Sequence, residues 1–161
     1  MATLIEQLNR AKKITPKRIS KTLFDSIRSI EKDLIVLNTE GQLFKGIDAD
    51  GKRLFNKKTK RGVYSEATEY ISTNDALLGK GNKIKKAGDP YTLEYHGDFV
   101  KGFYIEIKND KAIFSSKDEK TPLLVADYGE IFGLTDKHLK AVIQSKILPL
   151  LQKEIRKTLG I

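Results

Sequence analysis

The sequence has no cysteine and no tryptophan, and only one methionine and two histidines among its 161 residues. Without cysteine there is no disulfide framework, no thiolate nucleophile and no sulfur-ligated zinc, so the chain is expected to mature in a reducing compartment. No run approaches the ~20 apolar residues of a membrane span, and the amino terminus lacks the apolar stretch of a secretory signal. A soluble protein with no membrane partner is expected. Histidine is the commonest general base, yet His96 lies in a Tyr-His-Gly-Asp turn and His138 in the first turn of a helix, with no serine elbow or HExxH pattern beside either. The inventory favours a protein with no catalytic residue, no cofactor and no metal.

Charge is what the chain has in plenty. Charged residues make up 32% of the sequence, against roughly 25% in an ordinary globular protein, and the net charge is +9. Hydrophobic residues at 39% still suffice for a core, which excludes full disorder. The length fits one domain over 1–161.

After an amphipathic start (Leu4, Ile5, Leu8), Thr15-Pro16 has the form of an N-cap followed by proline in the first helical turn. Ile19, Leu23, Ile27, Ile30, Leu34 and Leu37 then repeat every three or four residues, widened by Phe24 and Ile35. The spacing predicts one helix over 16–37, within a helical region 14–40, about 33 Å long. Asn38-Thr39-Glu40-Gly41 supplies its stop. Such a rod either packs along one face of a sheet or also meets a neighbouring subunit.

The segment 41–92 reads as loop-rich and basic. Lys52, Arg53, Lys57, Lys58, Lys60 and Arg61 form one acid-free run, and Lys80, Lys83, Lys85 and Lys86 a second. Such runs either are a solvated or protein-facing surface or lie close to nucleic acid, where each neutralised phosphate releases a counterion. Phe55 and Tyr64 flank the first run without interleaving it as a stacking platform would. Asp48-Ala49-Asp50-Gly51 looks like the start of a calcium loop but lacks the third acidic ligand and the bidentate glutamate. Two aspartates are also too few for a metal-dependent hydrolase or nuclease site.

Strand character appears in a hairpin region, 93–125. Phe99, Phe103, Ile105 and Ile107 alternate, Lys108-Asn109-Asp110-Lys111 turns, and Ala112-Ile113-Phe114-Ser115-Ser116 returns antiparallel. Leu123-Leu124-Val125 is read as a third strand or the start of a loop. Thr135 should cap a final helix over 135–159, kinked at Pro149 and stopped by Gly160. The fold expected is α+β: a long amino-terminal helix and a kinked carboxy-terminal helix packed on a small antiparallel sheet. Its expected core is Leu23, Ile27, Leu34, Phe103, Ile105, Phe114, Val142, Ile143 and Ile147.

Three landmarks come in a suggestive order: Gly46-Ile47-Asp48-Ala49-Asp50-Gly51-Lys52, then Tyr95-His96-Gly97-Asp98-Phe99, then Tyr128-Gly129-Glu130-Ile131-Phe132-Gly133-Leu134-Thr135. From about Ile14 to Leu159 the chain resembles the bacteriophage virion-morphogenesis and tail-completion proteins. In that family a long helix leads to a DG turn, a short turn opens a hairpin, and an FGLT-like turn opens the last helix. Where the family carries a tryptophan after the DG turn, this chain has Leu54-Phe55. The resemblance implies a non-enzymatic subunit of the virion at the head–tail junction, made in the host bacterial cytoplasm. It would form a homo-oligomeric ring against portal, connector or tail proteins. The basic stretch 52–86 is not a feature of that family, and its residues are expected, from their charge, to face a partner or the packaged DNA. The alternative is a non-specific nucleic-acid-binding protein acting through the same basic loops.

Overall fold

The computed structural model describes residues 3–80, 83–94 and 97–161, with Asp98 described by its backbone alone. Tyr95 and His96, part of the second landmark, lie outside the described residues. Helix α1 (Leu4–Ala11) is closed by a capping box, in which Thr3 Oγ1 accepts from the Glu6 amide and Glu6 Oε2 accepts from the Thr3 amide. Helix α2 (Pro16–Ser29) starts as expected, with Thr15 Oγ1 accepting from the Arg18 amide at 3.3 Å.

The rod expected over 16–37 is broken. Ile30 leaves helical geometry at φ −113° and ψ 16°, and a second helix, α3 (Glu31–Thr39), follows. Ser26 Oγ donates to the Thr22 carbonyl and Ser29 Oγ to the Ser26 carbonyl, the back-bonding that bends helices. Glu31 and Asp33 then favour a fresh N-terminus through the helix dipole. Glu31 Oε1 also accepts from the Ile105 amide at 2.8 Å, which holds α3 against the hairpin.

Strands β1 (Phe103–Lys108) and β2 (Lys111–Ser116) pair antiparallel with Ile105 opposite Phe114. Asn109 and Asp110, at φ 50° and 55°, form the two-residue turn whose twist suits a hairpin. Phe99 and Val100 do not extend β1. They lie in a short helical turn, α5 (Asp98–Lys101), which sets the Phe99 and Phe103 rings edge to face at 4.9 Å. Leu123-Leu124-Val125 is neither strand nor loop but part of helix α6 (Thr121–Tyr128), with Pro122 in the first turn where its missing N–H has no cost.

The segment 41–92 is less loop-like than its composition suggests. It contains α4 (Glu66–Leu77), capped by Ser65, and three isolated bridges, Ile47 to Arg53, Asn56 to Arg61 and Val63 to Pro90. Hydrophobic periodicity misses α4 because that helix is turned inside out: Ser72 is buried while Tyr70, Ile71 and Leu77 are exposed. At the carboxy end Thr135 caps α7 (Asp136–Val142), and α8 (Leu148–Leu159) stops at Gly160 with φ 76°. The expected kink takes the form of a wide π-helical turn over Ile143–Ile147, just before Pro149. Proline offers no amide and its ring excludes the carbonyl four residues back, so the turn loosens there.

The architecture is α+β, with helices packed on one hairpin. Its core has two parts. Leu43, Leu54, Tyr91, Phe99, Phe103 and Ile131 form the larger; Leu34, Val142 and Ile147, flanked by Leu23, Ile27, Ile105 and Phe114, form the smaller. Ile143, expected in the core, is instead 42% exposed. The π-helical turn shifts the phase of the tail, so its inward row runs Val142, Ile147, Leu151 and passes Ile143 by. Among the described residues no helix is long and apolar enough to cross a membrane.

Two buried carboxamides bind these parts together. Asn38 Nδ2 donates to the Ile131 and Gly133 carbonyls at 3.2 and 2.8 Å, and Gln42 Nε2 to Gly133 at 3.0 Å. Gln42 Oε1 accepts from the Thr135 amide and meets His138 Nδ1, both at 2.9 Å. Replacing Gln42 with Leu would leave the Thr135 amide, His138 and one lone pair of Gly133 unpartnered. The expected cost is about 2–4 kcal/mol, or roughly 5–15 °C in melting temperature. Urea titration of Gln42→Leu checks this, and a change below about 1 kcal/mol would remove the clamp from the account of the fold.

Candidate functional site

The sequence-predicted cations do not form one surface. Lys52 is tied back to its own turn: its Nζ pairs with Asp50 Oδ2 at 3.0 Å and its amide donates to Asp48 Oδ1 at 2.7 Å. The Asp50 hydrogen bond and charge hold the Lys52 ammonium above its ordinary pKa. The two aspartates are therefore engaged within an Asx-type turn. Among the described residues no three His, Asp or Glu side chains gather as a ligand set.

Lys57, Lys58, Lys60 and Arg61 sit on a single ordered turn. Buried Asn56 anchors it, with Oδ1 accepting from the Thr59 amide and its own amide donating to the Arg61 carbonyl, both at 2.8 Å. The Lys57 amide donates to the Asp127 carbonyl at 2.7 Å, which pins the turn to the end of α6. Lys60 stands at φ 56°, a left-handed conformation that costs a non-glycine residue about 1 kcal/mol or more. The turn thus projects four exposed cations from a rigid base. Arg53 is exposed and its backbone forms the isolated bridge with Ile47.

The second run divides. Lys80 and Lys86 are exposed, and Lys83 pairs with Glu94 at 2.5 Å. Lys85 does not belong to a cationic surface, because it is only 6% exposed. Its Nζ donates to Thr92 Oγ1 at 3.0 Å and to the Glu94 carbonyl, and lies 5.1 Å from the centre of the Tyr64 ring. Its amide donates to Ser72 Oγ at 2.9 Å, fastening α4 to the extended segment 83–94. An isolated lysine flanked by other lysines gives no sequence signal for such burial.

Beside Lys85 lies a mainly apolar recess of about 410 Å³, walled by Tyr64, Ile71, Leu93, Phe99, Leu124 and Tyr128. Sequence reasoning missed it, since its walls come from four separated stretches. Tyr128 lies between the recess and the basic turn. Burial pushes its hydroxyl above the ordinary pKa near 10.0, opposed by a hydrogen bond with Asn56. The Tyr91 ring meets Tyr64 and Tyr128 edge to face at 4.9 and 5.6 Å, making a continuous aromatic wall. No family model, curated protein or solved structure matches the chain.

The raised Tyr128 pKa carries a sign. A tyrosine held neutral by the fold contributes stability that is complete below the unfolded-state pKa and is lost as pH rises above it. Tyr128→Phe has no phenol to ionise. The stability of wild type relative to Tyr128→Phe should therefore fall above pH 10. Urea midpoints across that range measure it, and parallel curves would contradict the burial of this hydroxyl.

Proposed function

We propose that this chain is a structural subunit of a bacteriophage virion at the head–tail junction, a neck ring, connector or tail-completion protein without catalysis. One observation carries the reading. The chain exposes 11059 Å², against roughly 8,100 Å² for a compact monomer of its 18.2 kDa mass. The excess is the size of surface that subunits bury against neighbours. Its composition is apolar as well as basic: Leu4, Ile5, Tyr70, Leu77, Leu78 and Leu123 are each at least two-thirds exposed.

The sequence resemblance chooses the kind of assembly. Within this chain two of the landmarks meet, with the Ala49 amide of the DG turn donating to the Glu130 carbonyl at 2.8 Å. In this reading the copies close into a ring, made in the bacterial cytoplasm and carried in the virion. The Lys57–Arg61 turn faces an acidic neighbour or the phosphate backbone of DNA, contacts that carry no base information. Net charge of +9 opposes association of free copies, so the purified chain is expected to be monomeric or weakly associating until a portal or tail platform is present.

The deciding experiment is to look for the chain in purified particles by mass spectrometry. Presence at a fixed multiple of the portal protein is expected, and absence from intact particles would end the proposal. The turn is tested separately by reversing Lys57, Lys58 and Lys60 to Glu. Exposed substitutions change stability by about ±0.5 kcal/mol each, so the melting temperature should hold within a few degrees. Incorporation into particles, or the salt slope of binding to random DNA, should fall. Normal incorporation and normal DNA binding together would leave the turn without the role given to it. Tight DNA binding by a chain absent from particles would favour the nucleic-acid-binding alternative.

A further inference from the structure

Two helices present apolar faces that are exposed among the described residues, and their chemistry is complementary. On α4, Tyr70 and Ile71 are 71% and 58% exposed, and Leu77 and Leu78, seven residues on, are 80% and 67% exposed. Residues seven apart lie about 10.5 Å along one side of a helix, so Tyr70 and Leu77 share one row, and Ile71 and Leu78, the residue that caps α4, share the row about 100° round from it, together an apolar face. Helix α1 offers Leu4, Ile5 and Leu8, at 74%, 71% and 55% exposure, within little more than one turn. Its capping box and the Arg10 bond to the Leu159 carbonyl at 3.0 Å fix it as a ready-made helix on the end of α8.

Charge supplies the pairing. Helix α4 itself carries Glu66, Glu69 and Asp75 and no basic residue, with Glu69 also accepting from the Ala87 amide and Lys80 following three residues past its end. Helix α1 ends in Arg10 and runs into Lys12 and Lys13. The two faces also sit on different parts of the fold: α1 packs on α8, beside the smaller core, while α4 hangs from segment 83–94, beside the larger. A contact between unlike faces on separate parts of one subunit is heterologous, the kind that closes rings. The surface excess above a compact monomer is enough for two such faces at roughly 800 Å² each.

Resting on the reading of the chain as a ring subunit, we infer that α1 of one copy docks on the exposed stripe of α4 of the next, apolar face on apolar face, with Lys12 and Lys13 toward the acidic residues of α4. The occupant of the α4 stripe is thus a second copy of this chain.

The absence of cysteine makes the test direct. Leu8→Cys and Leu77→Cys are made as separate full-length variants, with Ala112→Cys on the exposed hairpin as control. All three sites are exposed, so unchanged melting is expected and is checked first. On mixing under mild oxidation at high protein concentration, the Leu8–Leu77 disulfide should form about tenfold faster than any pairing with Ala112 or either self-pairing, because docking raises the effective concentration of that pair alone. Equal rates for all pairings, or predominant self-pairing of Leu77→Cys, would overturn the inference. The doubly substituted chain, assembled into particles, should give a ladder of linked copies. Particles that contain the chain without the ladder overturn this contact and leave the subunit reading intact. A rapid Leu8–Leu77 link in a chain that never enters particles does the reverse.

Discussion

The structure depends on two carboxamides placed where no water reaches. Asn38 and Gln42 are fully buried, one near the end of α3 and the other in the turn after it. Together they hold the backbone of Ile131, Gly133 and Thr135. A buried polar group without its partner costs about 1–3 kcal/mol, so this connection tolerates few alternative geometries. The cost is visible even in the native fold, because Asn38 Oδ1 is buried without a hydrogen-bond partner. Turning that amide over would gain nothing, since both carbonyls it now serves need a donor. The clamp sits where the two parts of the core meet: Ile131 belongs to the larger, while Leu34 and Leu37, on the same helix as Asn38, belong to the smaller. Apolar contact holds each cluster together, but the amides set how one lies on the other.

What the clamp fixes, it passes on to the surface. The segment 127–131 that it steadies carries the carbonyls of Asp127 and Glu130, which accept from Lys57 and Ala49, so both turns of the first basic run hang from it. The cations of the Lys57–Arg61 turn are displayed on a rigid support, and the left-handed Lys60 is strain that this support sustains. A rigid display lowers the entropy that a partner must overcome on binding. A close approach on the same side requires glycine: a side chain at Gly46, with φ 72°, would meet the Tyr91 carbonyl at 2.7 Å. The first landmark begins at that glycine.

How much of this was legible in the sequence follows from which force dominates at each place. Caps are local chemistry, so Thr15, Thr135 and Gly160 mark helix ends where the residues say they should. The hairpin was legible for the same reason, since alternation and an Asn-Asp turn are local signals. The break at Ile30 was not, because apolar spacing runs through it unchanged and the competing serine bonds appear only in three dimensions. Helix α4 was hidden by the opposite failure. Its apolar residues face outward, so a reading that takes hydrophobic residues to mark the core finds no core-facing helix. Lys85 belongs to a third kind, a residue whose burial is decided by Tyr64, Thr92 and Glu94, all distant in sequence. Asn38 read as a stop signal because its partners lie more than ninety residues away.

Two of the misjudged elements, α4 and the row beside Ile143, have apolar residues that face solvent in the isolated chain. Sequence and fold disagree most where a protein meets something other than itself, because selection there serves a second surface as well as the core. A chain that leaves so much apolar area open forgoes several kcal/mol of burial at roughly 25 cal/mol per Å². In the proposed assembly a neighbour would cover that area, which would link folding to association by mass action. The split core fits this logic. Two modest clusters joined by a polar clamp suffice to hold the chain's shape, and on the proposed subunit reading further apolar burial would come from contact between copies.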